Sequence, residues 1–292
     1  MDWVLPLRTP FLNGFFEMVT LAGYPLFLIM FLCFGYFALG SKRFFHTAML
    51  LMVAGLLNSW LKDLGQDARP DAVYALDGRV GDSYGWPSGH TQIAVVLWGY
   101  LAYTLRQNWA YAAAAIFIAL QGFSRLYLGV HDLGDVAWGF VIGVLCLAGY
   151  IALERHQPSR ARLAALSLPQ ILFAVIALQV FYVAFYPAHI GHEAPFWFIG
   201  LTSGWLMGRY IRGHEEVHLP GPLIVQGICA AALTGISFVL MLVTTRLPRA
   251  LAEDNAWVQY GFGIIFGLSI IALLPFLIDK FNQTFSRQTA AS

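Results

Sequence analysis

Charge is what this chain has least of. Asp, Glu, Lys and Arg together make up 11% of its 292 residues, while 59% are hydrophobic; soluble domains carry about 25% charge. So apolar a composition excludes a water-soluble globular domain and implies an all-α chain that crosses a bilayer several times. The net charge is only +1, so no bulk field recruits nucleic acid, and each basic residue has to be judged by its position. Cysteine is scarce too. Cys33, Cys146 and Cys229 all fall inside apolar runs, where they behave as small hydrophobes, and no disulfide framework is implied. Met1 to Pro10 carry Asp2 and Arg8 in place of a basic leader, with no small-residue cleavage site after a short apolar core, so the N-terminus is expected to be retained. No internal repeat or low-complexity tract interrupts the chain.

Long apolar runs, by contrast, are plentiful. They extend from Leu21 to Leu39, Phe45 to Leu61, Thr91 to Leu105, Trp109 to Phe123, Val136 to Leu153, Ile171 to Phe185, Pro195 to Ile211, Leu223 to Val243 and Val258 to Leu277. About nine transmembrane helices are therefore expected, several of them short. Val4 to Val19 is apolar but broken by Arg8, Pro10 and Asn13, a pattern that fits a segment lying along the interface. The turn at Gln157-Pro158-Ser159 separates two regions. Residues 1–153 read as the N-terminal interfacial segment and a five-helix core, and 154–292 as an additional four-helix membrane region.

Lysine and arginine set the orientation. Alternate connections carry ten of the 17, including Lys42, Arg43, Arg155, Arg160 and Lys280, and the opposite side carries seven. Three of those seven, Lys62, Arg69 and Arg125, belong to motifs considered next, so the imbalance is ten against four. The motif-bearing side should face away from the cytoplasm, with the N-terminus outside and the C-terminus inside. The lack of long extramembrane domains points to a bacterial inner membrane with this side in the periplasm.

The motifs lie between Lys62 and Asp135. Lys62 ends the second run, and Arg69 follows seven residues later, just before Pro70, which disfavours helix in the preceding residue. A guanidinium offers a planar fork to two phosphate oxygens and an ammonium a compact charge. Taken alone, both could equally be interfacial anchors. In Pro87-Ser88-Gly89-His90 a polar loop gives way to an apolar helix, making Ser88 a natural N-cap and the next amides an anion site. Gly89 lets the backbone approach an oxygen, and His90 sits where it could protonate a departing alkoxide. An ordinary cap would look the same. Ser124-Arg125 and His131 to Asp135 complete the set. His131 is expected to enter the fifth helix, and a carboxylate at i+4 can hold one imidazole nitrogen while the other attacks. The pair could instead be a packing contact, although ionisable groups at membrane depth are usually functional.

Lys-x6-Arg-Pro, Pro-Ser-Gly-His and Ser-Arg-x5-His-x3-Asp together resemble the type 2 phosphatidic acid phosphatase (PAP2) superfamily at each defining position. The resemblance covers Lys62 to Asp135, about a quarter of the chain. It implies a helical-bundle catalytic core and catalytic roles for His131 as nucleophile, Asp135 as its orienter and His90 as the acid for the leaving oxygen. Lys62, Arg69, Ser88, Gly89 and Arg125 would bind the phosphate. No metal or cofactor is called for, because fixed cations do the work of magnesium. The implied partners are a phosphorylated lipid and membrane lipids, and oligomeric state is left open. The expected activity is hydrolysis of a lipid phosphomonoester or pyrophosphate, such as polyprenyl pyrophosphate, phosphatidic acid or phosphatidylglycerophosphate. Nine spans with an outer N-terminus also resemble the glucose-6-phosphatase branch, transfer of phosphate to an acceptor lipid is an alternative, and a binding-only transporter or scramblase is the third.

Other signals are weaker. His214-Glu215-Glu216-Val217-His218 matches a zinc-protease spacing, but Pro220 and Pro222 follow at once, which fits a solvated loop. His189, His192 and Glu193 fit wet surface better than a metal site. Tyr84, Trp86 and Tyr127 flank the motifs as interfacial aromatics would. Asp71, Asp77 and Asp82 would repel a phosphate if they pointed in, so they are expected in a solvated loop or lid.

Overall fold

The computed structural model describes residues 2–81, 83–185, 193–213, 215–252 and 255–291, and every regular element among them is helical. A 3₁₀ turn (Asp2–Leu7) is followed by α1 (Pro10–Leu21), α2 (Pro25–Ala38), α3 (Ser41–Gly65), α4 (Gly89–Leu105), α5 (Asn108–Tyr127), α6 (Leu133–Arg155) and α7 (Gln157–Ala164). The remainder comprises α8 (Leu168–Phe185), α9 (Glu193–Arg212), α10 (Leu223–Ala252), α11 (Ala256–Leu268) and α12 (Leu274–Ala291), with a π turn (Ser269–Leu273) joining the last two.

All nine apolar runs are helical, but nine independent spans are not found. Among the described residues five helices are long and apolar enough to cross a membrane, or up to seven if each bent pair counts as one span. The reasons are local. α4 has only 17 residues, short of the ~20 that a bilayer core needs. The run beginning at Leu21 is broken, with α1 and α2 meeting at 56°, and α8 meets α7 at 100°.

The chain divides into two compact units, Met1–Leu28 with Met49–Ala165 and Tyr186–Ile190, and Ile29–Ala48 with Leu166–Phe185 and Gly191–Ser292. In the first, α4 packs against α5 and α6, and α1 against α5. The N-terminal segment is docked by Val4 and Phe16, which bury themselves on Tyr127, Leu128 and Val130. Arg8 fastens the same region, donating from Nη2 to the carbonyls of Tyr74 (2.6 Å) and Tyr127 (3.1 Å).

The second unit is built on a glycine seam between α9 and α11. A Cβ at Gly200 would lie 2.1 Å from the Tyr260 carbonyl oxygen, and one at Gly204 2.4 Å from that of Ile264. From the other side, Gly263 and Gly267 would strike the carbonyls of Trp197 and Leu201 at 2.3 and 2.6 Å. Glycine every fourth residue lets the two backbones touch, as in small-residue crossings of membrane helices. The loop carrying Glu216 is more ordered than a solvated loop: Glu216 Oε2 accepts from the Ser41 hydroxyl (2.5 Å) and the Lys42 amide (3.3 Å), capping α3. His189, His192 and His214 lie outside the described residues.

Candidate active site

The three motifs converge at one end of the first unit, where α3 ends, α4 begins, α5 ends and α6 begins. The helix boundary differs from expectation: His131 stays outside α6, whose N-cap is Asp132. Asp132 Oδ1 accepts from the Asp135 amide (2.9 Å), and Asp135 Oδ2 accepts from the Asp132 amide (3.2 Å), a reciprocal capping box. Asp135 is thereby fixed before it meets any substrate. Its Oδ2 also lies 3.0 Å from His131 Nδ1, and both side chains are 2% exposed. With Nδ1 paired to that carboxylate, Nε2 is the nitrogen left to face the site, where it lies within hydrogen-bond reach of Arg69 Nη1 at 3.2 Å.

Each expected cation is held by specific acceptors. Lys62 Nζ donates to the carbonyls of Tyr84 and Gly85, the latter at 2.9 Å. Arg69 donates from Nε to the Ser83 carbonyl (2.6 Å), from Nη2 to the Ser83 hydroxyl (2.7 Å) and from Nη1 to the Val130 carbonyl (2.8 Å). Burial, followed by the charge of Arg125, lowers Arg69 to about 10, so it stays cationic at neutral pH. Burial, reinforced by Lys62, Arg69 and Arg125, holds His131 well below the usual histidine range. Burial and the three cations thus all favour the neutral imidazole.

Ser88 occupies the N-cap position of α4 but makes no side-chain cap bond. It is fully buried, its hydroxyl accepts from Thr91 Oγ1 at 3.1 Å, and its amide donates to the Asp135 carbonyl at 3.0 Å. The loop is braced from behind by two amides that no local spacing advertised. Asn58 Nδ2 donates to the Pro87 carbonyl (3.2 Å) and to Gln92 Oε1 (2.8 Å), and Gln92 Nε2 donates to the Ala54 carbonyl (2.9 Å). A Cβ on Gly89 would lie 2.8 Å from Asn58 Oδ1, so any larger residue there would press on the bracing amide. His90 packs edge-on against Tyr24, ring centroids 4.6 Å apart. Among the described residues its Nε2 and Arg125 Nε are both buried with no hydrogen-bond partner, leaving two polar atoms for an incoming group.

Asp77 departs furthest from expectation. It is not a solvated lid residue: it is 1% exposed, and its Oδ2 accepts from Arg125 Nη1 at 2.9 Å. Burial alone would raise it, but hydrogen bonds from Tyr24, Arg79 and Arg125 outweigh that and hold it well below the carboxylate range. Asp71 only caps a short turn, accepting from the Val73 amide, and Asp82 lies outside the described residues. Tyr127 is a core residue with no exposure, donating to Asn13 Oδ1 at 2.8 Å. Trp86 covers Gly65 and meets Trp138 edge to face, centroids 6.2 Å apart. Gly129, at φ +70°, leaves only room for a hydrogen beside the Tyr74 carbonyl, where a Cβ would lie at 2.1 Å.

Comparison with known proteins bears on the family. The pattern of the PAP2 superfamily matches residues 43–158. Phosphatidylglycerophosphatase B of Bacillus subtilis is 31% identical over 156 residues, 48% of this chain and 73% of that protein. A lipid A 4'-phosphatase of Porphyromonas gingivalis is 28% identical over 184 residues, covering 59% and 77%, and lipid phosphate phosphatase delta of Arabidopsis thaliana 29% over 161, covering 49% and 38%. The crystal structure of a transmembrane PAP2 type phosphatidylglycerolphosphate phosphatase from Bacillus subtilis aligns with a TM-score of 0.46 at 27% identity, over 52% of this chain and 81% of that one. The chain is a membrane-embedded phosphoric ester hydrolase. It belongs to the PAP2 superfamily.

Proposed function

We propose that this enzyme hydrolyses a lipid phosphomonoester or pyrophosphate through a phosphohistidine intermediate, without metal, at the outer leaflet. The observation that carries the mechanism is the 3.0 Å contact between His131 Nδ1 and Asp135 Oδ2, with Nε2 turned toward Arg69. Nε2 attacks phosphorus as the bond to the leaving oxygen breaks, and His90 gives that oxygen its proton. Lys62, Arg69 and Arg125, with Ser88 and the Gly89 amide, hold the phosphoryl oxygens as charge redistributes. Water then attacks the phosphohistidine, returning its proton to His90 and releasing phosphate. Residues 1–153 carry this chemistry, and 154–292 form the additional membrane region.

A lipid substrate is favoured because the relatives are named for phosphatidylglycerophosphate, lipid A and lipid phosphates. The sugar-phosphate alternative rested on nine spans, a count the described helices do not reach. The test is phosphate release by detergent-purified protein in EDTA. The panel is phosphatidylglycerophosphate, phosphatidic acid, lipid A, polyprenyl pyrophosphate and glucose 6-phosphate. One lipid should be turned over, with a loss of at least about 1000-fold in His131→Ala, the order expected when a covalent nucleophile is removed. Full release by that variant would rule out the phosphohistidine route, and turnover of glucose 6-phosphate alone would rule out the lipid.

A further inference from the structure

Asp77 lies outside the three motifs, seven residues beyond Pro70, yet its carboxylate is saturated. Oδ2 accepts from the Tyr24 hydroxyl (2.6 Å) and Arg125 Nη1 (2.9 Å), and Oδ1 from Arg79 Nε (2.8 Å) and the Arg79 amide (3.2 Å). Both donors to Oδ2 lead into the site. Arg125 Nη1 also donates to the Thr20 hydroxyl, so one end of the guanidinium is fixed twice while Nε is buried with no partner among the described residues. Tyr24 turns its ring edge-on to His90, at 81° between planes, and the Arg79 guanidinium lies over the same ring, 4.9 Å from its centroid. His90 is closed in from a second direction, since a Cβ on Gly23 would sit 2.3 Å from its Cδ2. One carboxylate oxygen therefore ties the cation on the phosphoryl side to the ring that backs the histidine on the leaving-group side.

We propose that Asp77 is a positioning residue for the reaction, acting through Arg125 on the transferred phosphoryl group and through Tyr24 on His90. The proposal rests on the roles given above to Arg125 and His90. Its physical basis is that a buried guanidinium with a fixed carboxylate partner keeps one orientation, and that a small misplacement of a catalytic group is costly in rate. Neither arm touches substrate.

The two arms can be separated with two substrates. The test uses a lipid phosphomonoester, whose alkoxide leaving group needs a proton, whereas 4-nitrophenolate leaves without one. Tyr24→Phe keeps the ring and removes its hydroxyl, so only the His90 arm should suffer: kcat falls about 10-fold on the lipid and less than about 2-fold on 4-nitrophenyl phosphate. Asp77→Asn, nearly isosteric, disturbs both arms and should lower kcat on both substrates, by about 100-fold on the lipid. Equal fractional losses on the two substrates in Tyr24→Phe, or wild-type kcat in folded Asp77→Asn, would overturn the proposal. Should Asp77→Asn fail to fold, the Tyr24→Phe comparison decides alone. A wild-type enzyme that releases no phosphate would instead overturn the reading of the site beneath it.

Discussion

His131 is a histidine whose surroundings disfavour its charged form. Burial, then Lys62, Arg69 and Arg125, all oppose its protonation, and the consequence for pH has a definite sign. A base whose folded-state pKa is lowered loses its neutral form only when pH falls through that lower value, so the acid limb of kcat/KM should lie below the ordinary histidine value of about 6.5. Arg69→Met removes the cation 3.2 Å from Nε2, relieving repulsion and raising the histidine pKa. Its residual activity should therefore fade at higher pH than in wild type, and an unshifted limb would mean that the cations do not govern the nucleophile. The residues tested here were legible in the sequence, because phosphoryl chemistry demands particular groups at fixed separations. Asp77 and Tyr24 were not. They reach Arg125 and each other across 48 and 53 residues, and an aspartate near a phosphate site reads as a repulsive charge until its cation is seen. Asn58 and Gln92 were hidden for the same reason, since their partners lie on another segment 29 to 38 residues away.

At the scale of elements, the apolar runs located the helices, and their ends went astray where side chains rather than hydropathy set the boundary. The Asp132–Asp135 capping box starts α6 two residues after His131, leaving that histidine on a turn instead of in a helix. Between α9 and α11 the opposite happened: a signal was present and passed unread. Gly200, Gly204 and Gly208 recur every fourth residue, as do Gly263 and Gly267, placing each set on one helix face. Gly204 faces the Ile264 carbonyl at a distance no side chain can occupy. Gly204→Leu must therefore force the two helices apart, a steric cost of at least the ~1–3 kcal/mol of ordinary overpacking. A thermal unfolding transition in detergent should fall by several degrees or more, whereas Gly227→Leu, where a Cβ would meet nothing within 4 Å, should leave it near the wild-type value. Equal transitions in the two variants would mean that the seam does not stabilise the unit.

For the molecule as a whole, the consequential question is which leaflet supplies the substrate. Within the first unit, Arg106 in the turn between α4 and α5 and Arg155, Arg160 and Arg162 after α6 face only Arg8 and Arg79 beyond the phosphate site on the motif-bearing connections, and basic residues tend to stay in the cytoplasm during insertion. The structure supplies reporters for both sides. Val73 is 76% exposed in the loop between Arg69 and Pro87, and Gln107 is exposed in the turn between α4 and α5. The two turns lie at opposite ends of α4, whose 17 residues extend about 25 Å at 1.5 Å per residue. In intact cells a membrane-impermeant maleimide should label Val73→Cys above the background of the native cysteines and label Gln107→Cys only after permeabilisation. That pattern would place the phosphoryl site among outer-leaflet lipids, where released phosphate leaves the cell interior. The reverse pattern would turn His131 toward the cytoplasm and make lipids of the inner leaflet its substrates.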